Sequence, residues 1–218
     1  MIRIITLANK PSYLPDAIAS VLAQTRKDIV HVVGLDDGSR DWGGRYPPGV
    51  FYSEEARRAD MSDYVCWLSD DDILLPNYCE VLANYLDAHP RVHCVYGISR
   101  VEMHAPGRKP VLKMVLPKRK VGLVRFDANN LPGFKLDSGQ FMIRRSALER
   151  VPYPYAPPTE PRRDDGYLLN NIARHVAFWP VNEVVMVNRV TPQSSHRRNV
   201  GGKYAGHDWK NMPKYGGG

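Results

Sequence analysis

Asp70, Asp71 and Asp72 follow directly on the apolar stretch Tyr64-Val65-Cys66-Trp67-Leu68-Ser69 and precede Ile73-Leu74-Leu75-Pro76. Carboxylates this close repel one another, and each gains from a cation that neutralises it. Oxygen-only donors suit Mg²⁺ or Mn²⁺, ions that also hold the phosphates of an activated substrate. A solvated, aspartate-rich turn is the plainer alternative. Asp36-Asp37-Gly38-Ser39 ends a second apolar stretch and has the composition of a turn. Asp164-Asp165 stands before Tyr167 to Ala173, where an acidic pair suits a helix N-terminus. Basic residues are grouped as well. Arg108, Lys109, Lys113, Lys118, Arg119, Lys120 and Arg125 fall in an interval without Asp or Glu, and Arg197, Arg198 and Lys203 form a second group. Such patches attract phosphates, nucleic acid or anionic surfaces, or simply form a solvated basic face.

These groups need elements to hold them. Ile2 to Leu7 reads as a covered strand, apolar at most positions. Leu14, Ile18, Val21 and Leu22 recur at helical spacing, so a helix is expected over 12–24, with Pro15 harmless in its first turn. Ile29 to Leu35 reads as the next strand, 41–50 as loop, Glu54 to Met61 as a short helix and 64–68 as a strand. The spacing of Tyr78, Val81, Leu82, Tyr85 and Leu86 predicts a helix over 77–88. Strands follow at Val92 to Tyr96 and at 98–104, with an irregular stretch over 105–137. Phe141 to Ile143 is a compact strand, a turn of helix starts at Ser146, and 153–161 is a proline-rich connection. Asp165 to Ala173 returns to helical spacing. Strand–helix alternation predicts an α/β fold with a mainly parallel central sheet flanked by helices.

The chain has 218 residues, long enough for one substantial core. Its net charge is +7, which favours anionic partners. No stretch approaches the roughly 18 apolar residues of a membrane span, and the N-terminus lacks the pattern of a signal peptide. Cys66, Cys79 and Cys94 form no CxxC pair, and their odd number fits reduced thiols and a cytoplasmic setting.

Taken in order, these motifs resemble the family 2 glycosyltransferases with a GT-A fold. Thr6-Leu7-Ala8-Asn9-Lys10 and the helix after it resemble the family's opening strand and helix, and Val33 to Ser39 its strand-end nucleotide site. Tyr64 to Pro76 resembles its metal-binding acidic motif, and Asp137 to Phe141 its acceptor-side strand. The resemblance implies a single catalytic domain over 1–200, with a nucleotide-sugar half (1–104), an acceptor half (105–200) and a flexible tail (201–218). It implies an open nucleotide-sugar site at the C-terminal ends of the strands, lined by Thr6, Ala8, Asn9, Asp37 and Asp70. By the same resemblance a divalent ion, Mn²⁺ or Mg²⁺, is held by Asp72 and Asp70. Asp165 is the implied general base for an inverting transfer, with Asp164 as the second candidate. Asn188 to Ser195 resembles a family loop carrying an arginine followed by histidine. Here Arg189 is kept, Thr191 takes the histidine's place, and His196, Arg197 and Arg198 are further candidates for phosphate or acceptor contacts. The implied donor is a nucleotide-diphosphate sugar, a UDP-sugar foremost. The expected acceptor is a hydroxyl, and the basic run over 108–120 points to an anionic glycan, a lipid or a nucleic acid as its bearer. The competing classes are a basic nucleic-acid-binding protein and a noncatalytic carbohydrate-binding relative.

Overall fold

A computed structural model of the chain describes residues 1–8, 12–35, 50–51, 62–105, 107–118, 122–152 and 165–191. The strands are β1 (Ile2–Ala8), β2 (Ile29–Leu35), β3 (Val50–Phe51), β4 (Tyr64–Ser69), β5 (Ile73–Leu74), β6 (Cys94–Met103), β7 (Val111–Leu116), β8 (Phe141–Arg144) and β9 (Phe178–Val190). The helices are α1 (Leu14–Leu22), α2 (Tyr78–Ala88), α3 (Arg145–Leu148) and α4 (Asp165–Ala173). Single 3₁₀ turns occupy Gly133–Lys135 and Ser138–Gln140.

One sheet joins all nine strands in the order β3-β2-β1-β4-β8-β6-β9-β5, with β7 beside β6. The α/β fold expected from the sequence is present, but the sheet is mixed. β3, β2, β1 and β4 run parallel, as does β9 with β6, whereas β8 is antiparallel to both β4 and β6. β7 and β5 are also antiparallel to their partners. Strand-to-strand returns cause this: β6 turns back into β7 after seven residues, too few for a parallel crossover. β9 belongs to the later half of the chain, yet it pairs with β6 and β5 of the earlier half, so the two halves share one sheet.

Each face of the sheet carries its own core. Ile2, Ile4, Cys66 and Leu68 pack with Ala17 and Val21 of α1 and with Tyr78, Leu82 and Leu86 of α2. On the opposite face Val65, Trp67, Phe141 and Phe178 pack with Leu168, Leu169 and Ile172 of α4. Trp67 and Phe141 stack with ring centroids 5.1 Å apart, and Phe178 meets Phe141 edge-on at 5.2 Å.

The two strands expected at 92–96 and 98–104 are one strand. Gly97 does not end it: a Cβ there would lie 2.6 Å from Val185 Cγ2, so the missing side chain lets β9 approach. β7 lies in the stretch expected to be irregular, and β9 was not expected at all. Val50, assigned to a loop by its neighbours, begins β3. The helix expected over Glu54 to Met61, the proline-rich connection and the tail lie outside the described residues.

The Thr6 hydroxyl and His31 Nε2 are 2.8 Å apart inside the sheet–α1 layer. Burial pushes the His31 pKa down from 6.5 to about 4. Between those values the unfolded chain holds a proton that the folded chain does not. The stabilisation is therefore complete above pH 6.5 and lost as pH falls to about 4, a change of about 3 kcal/mol. Replacing His31 with Asn is expected to flatten this acid dependence of the melting temperature between neutral pH and about pH 4.5. An unchanged slope would show that another group carries it.

Candidate active site at the C-terminal edge of the sheet

Parallel pairing brings the ends of three strands level: Ala8 of β1 lies opposite Leu35 of β2, and Leu7 opposite Ser69 of β4. β1, β2 and β4 therefore end at one edge, the usual ligand position in an open α/β sheet. Ala8 is fully buried at that edge. Thr6 sits two residues further in, with its backbone in both ladders and its hydroxyl against His31. Asn9, Asp37, Asp164, His196, Arg197 and Arg198 lie outside the described residues.

The acidic run closes a tight turn in which the Asp72 N–H donates to the Ser69 carbonyl at 3.1 Å. A solvated turn would expose these side chains. Instead Asp70, Asp71 and Asp72 are 1%, 5% and 2% exposed. Buried carboxylates need partners, and Arg189 supplies part of what they need. Its backbone N–H donates to Asp72 Oδ1 at 2.8 Å, and its Nε donates to the Asp71 carbonyl. Its Nη1 then reaches Asp16 Oδ2 in the first turn of α1 at 2.6 Å, while the guanidinium lies 5.4 Å from the centre of the Tyr13 ring. One arginine thus ties the acidic turn to β9 and to α1. Arg189 was expected in a loop and as a possible phosphate contact; it is a buried residue of β9 whose guanidinium is held within the protein.

Asn188, its neighbour, donates to Asp137 Oδ2 at 2.6 Å. Asp137 also accepts from the Gly139 N–H, and Gln140 returns the contact by accepting from the Asp137 N–H at 2.7 Å. The Gln140 side-chain amide then donates to the carbonyls of Gly97 and Leu116. Residues 138–140 are therefore a capped 3₁₀ turn that fastens β6, β7 and β9 together, just ahead of the strand expected over Phe141 to Ile143. The strand begins at Phe141.

His104, just past β6, was not singled out from the sequence. Its imidazole lies 3.2 Å from Glu102, and its pKa is held below the ordinary value. Burial is the main cause, opposed by Glu102 and reinforced by the charge of Arg189. Asp16 and Tyr13 were missed as well. The only cue for Asp16 was its place in the first turn of a helix, which says nothing of a partner 173 residues away.

Asp165 is the first residue of α4, and its side chain lies outside the described residues. Four residues join α4 to β9, whose first residue, Phe178, pairs with Cys94 at the N-terminal edge of the sheet. The nine-residue helix, about 13 Å long, packs on the sheet through Leu168, Leu169 and Ile172.

Oxygen donors at a buried strand end match the preferences of Mg²⁺ and Mn²⁺. Among the described residues no three Asp, Glu, His or Cys side chains converge as a cage for an ion. Mg²⁺-type sites commonly use one or two carboxylates and leave the remaining positions to water and substrate phosphates. Asp70 and Asp72 fit that pattern.

No family model matches the chain. An uncharacterized glycosyltransferase of Rickettsia typhi is 27% identical over 150 residues, covering 59% of this chain and 44% of that protein. One from Rickettsia felis is 32% identical over 101 residues, covering 38% of this chain and 17% of that protein. The chain thus spans less than half the length of these curated relatives. Among solved structures, the mannosyltransferase PcManGT from Pyrobaculum calidifontis, in complex with GDP-Man and Mn²⁺, superposes with a TM-score of 0.61 at 17% identity. That match covers 90% of this chain and 59% of the other. TarS 1-349 from S. aureus in complex with UDP-GlcNAc gives 0.60 at 13% identity, covering 91% and 60%. The chain shares the GT-A-like fold of these structures.

Proposed function

We propose that the protein is a metal-dependent, inverting glycosyltransferase that moves a sugar from a nucleotide-diphosphate donor to an acceptor hydroxyl. The observation that carries this reading is the buried acidic turn, held by Arg189 at the edge where β1, β2 and β4 end together. The structural neighbours solved with UDP-GlcNAc and with GDP-Man and Mn²⁺ support it, since they share this fold. A family 2 assignment rests on the order of the motifs.

In this reading the ends of β1 and β2, with Ala8, Asn9 and Asp37, receive the base and ribose, and Thr6 supports them from within. Asp70 and Asp72 would hold the ion. When bound, it supplies positive charge against the departing diphosphate. Arg189 fixes Asp72 through its backbone N–H, which keeps the carboxylate aimed without a shift in position during the reaction. Asp165 takes the proton from the acceptor hydroxyl as that oxygen attacks the anomeric carbon. Attack comes from the face opposite the diphosphate, the bond to the diphosphate oxygen breaks, and the configuration inverts. Asp164 is the second candidate for the role of base. The buried, unpaired thiols Cys66, Cys79 and Cys94 suit a reducing, cytoplasmic setting.

Incubation of the protein with Mn²⁺, a panel of UDP- and GDP-sugars and mixed acceptors is expected to release nucleoside diphosphate and to add one hexose or N-acetylhexosamine mass to an acceptor. Binding of donors without any product or release across the panel would favour the noncatalytic alternative.

A further inference from the structure

Among the described residues β7 is an edge strand, paired on one side only with β6. Val111, Met114 and Leu116 turn inward onto Val101, Met103 and Val190. A register shift opposite Val101 and Glu102 leaves Leu112 and Val115 facing outward, and Leu112 is 57% exposed. Leu123 and Val124, a few residues on, are exposed too, so among the described residues four of the six exposed large apolar side chains lie between 112 and 124. Exposed lysines, Lys109, Lys113 and Lys118, are interleaved with them. Edge strands commonly carry lysine to prevent pairing, but that purpose does not call for exposed leucine and valine alongside.

We propose that the β7 edge docks on an anionic lipid bilayer surface. The lysines meet the headgroup charge, and the aliphatic side chains enter the boundary between headgroups and acyl chains. Nucleic acid would satisfy the lysines but offers little to Leu112 and Val115, because single strands are gripped by stacked aromatic side chains. Position supports the docking. Leu112 pairs with Glu102, Glu102 with Arg189, and Arg189 donates to Asp72. β7 is therefore two strand spacings, about 10 Å, from β9, whose Arg189 holds the acidic turn. If the glycosyltransferase reading holds, this face would present the site to a lipid-linked acceptor. The docking itself does not depend on transfer.

The test is partition of the full chain onto phosphatidylcholine vesicles with and without phosphatidylglycerol, across a salt series, with a single-stranded RNA as competitor. Binding is expected only to the anionic vesicles. Replacing Lys109 and Lys113 with Gln should weaken it roughly fivefold per lysine and flatten its salt dependence. Leu112→Ser, at an exposed position with little role in folding, should weaken binding severalfold at every salt concentration without altering that dependence. Loss of vesicle binding with retained RNA binding would overturn the proposal in favour of a nucleic-acid surface. Anionic-vesicle binding that ignores all three substitutions would overturn it too. Because partition is read without donor or product, its failure is distinct from a failure of sugar transfer.

Discussion

Asp72→Asn is expected to remove the effect of Mn²⁺ on nucleotide binding and to lower sugar transfer on the order of a thousandfold. A divalent ion at a departing diphosphate contributes several kcal/mol of charge stabilisation, which corresponds to that loss. The substitution is chosen for what it leaves intact. The Asn side-chain carbonyl still accepts the Arg189 backbone N–H that Asp72 Oδ1 accepts at 2.8 Å, so the turn keeps its anchor to β9. What is lost is the negative charge and the second carboxylate oxygen, which becomes an amide donor. Removing a like charge beside Asp70 and Asp71 should leave the melting temperature unchanged or slightly raised. Calorimetric titration of UDP and GDP, with and without Mn²⁺ and at matched ionic strength, separates the cases. If Mn²⁺ tightens binding equally in the native and Asp72→Asn proteins, the ion is held elsewhere. If it tightens binding in neither, the acidic turn is structural.

The parts of the fold that were legible in the sequence are those where periodicity and burial coincide. Ile29 to Leu35 and Asp165 to Ala173 match their elements residue for residue, and Pro15 falls in the first turn of α1. The failures have physical causes. Gly97 reads as a break but serves as the point of close contact with β9. β9 itself contains Pro180, Asn182 and Glu183, which disguise a thirteen-residue strand. Pro180 is accommodated because the β6–β9 register shifts just beyond it. β7 hides because Leu112 and Val115 on its outward side are aliphatic and Lys113 sits at the register shift, which destroys the expected alternation. At the site, the acidic turn was visible as a local run, whereas its support was not. Arg189 is joined to Asp16, Tyr13 and Asp72 across more than a hundred residues of chain. No local pattern encodes such a contact.

Asp165→Asn is the sharpest discriminator between the two roles open to the acidic pair at the start of α4. As a helix cap, aspartate and asparagine are nearly equivalent, because either side-chain oxygen can accept from the N–H groups of the first turn. A cap therefore predicts near-normal stability and near-normal transfer for the variant. As a base, the carboxylate must accept a proton that an amide cannot take. The expected loss in turnover is then about 10²- to 10⁴-fold, with binding of UDP or GDP in the presence of Mn²⁺ retained. Donor hydrolysis has to be followed separately from transfer, because water can stand in for an acceptor that binds weakly. A base acting on the acceptor hydroxyl predicts that both fall in the variant. Full transfer by a folded Asp165→Asn protein would pass the role to Asp164, and the same comparison with Asp164→Asn would then decide it.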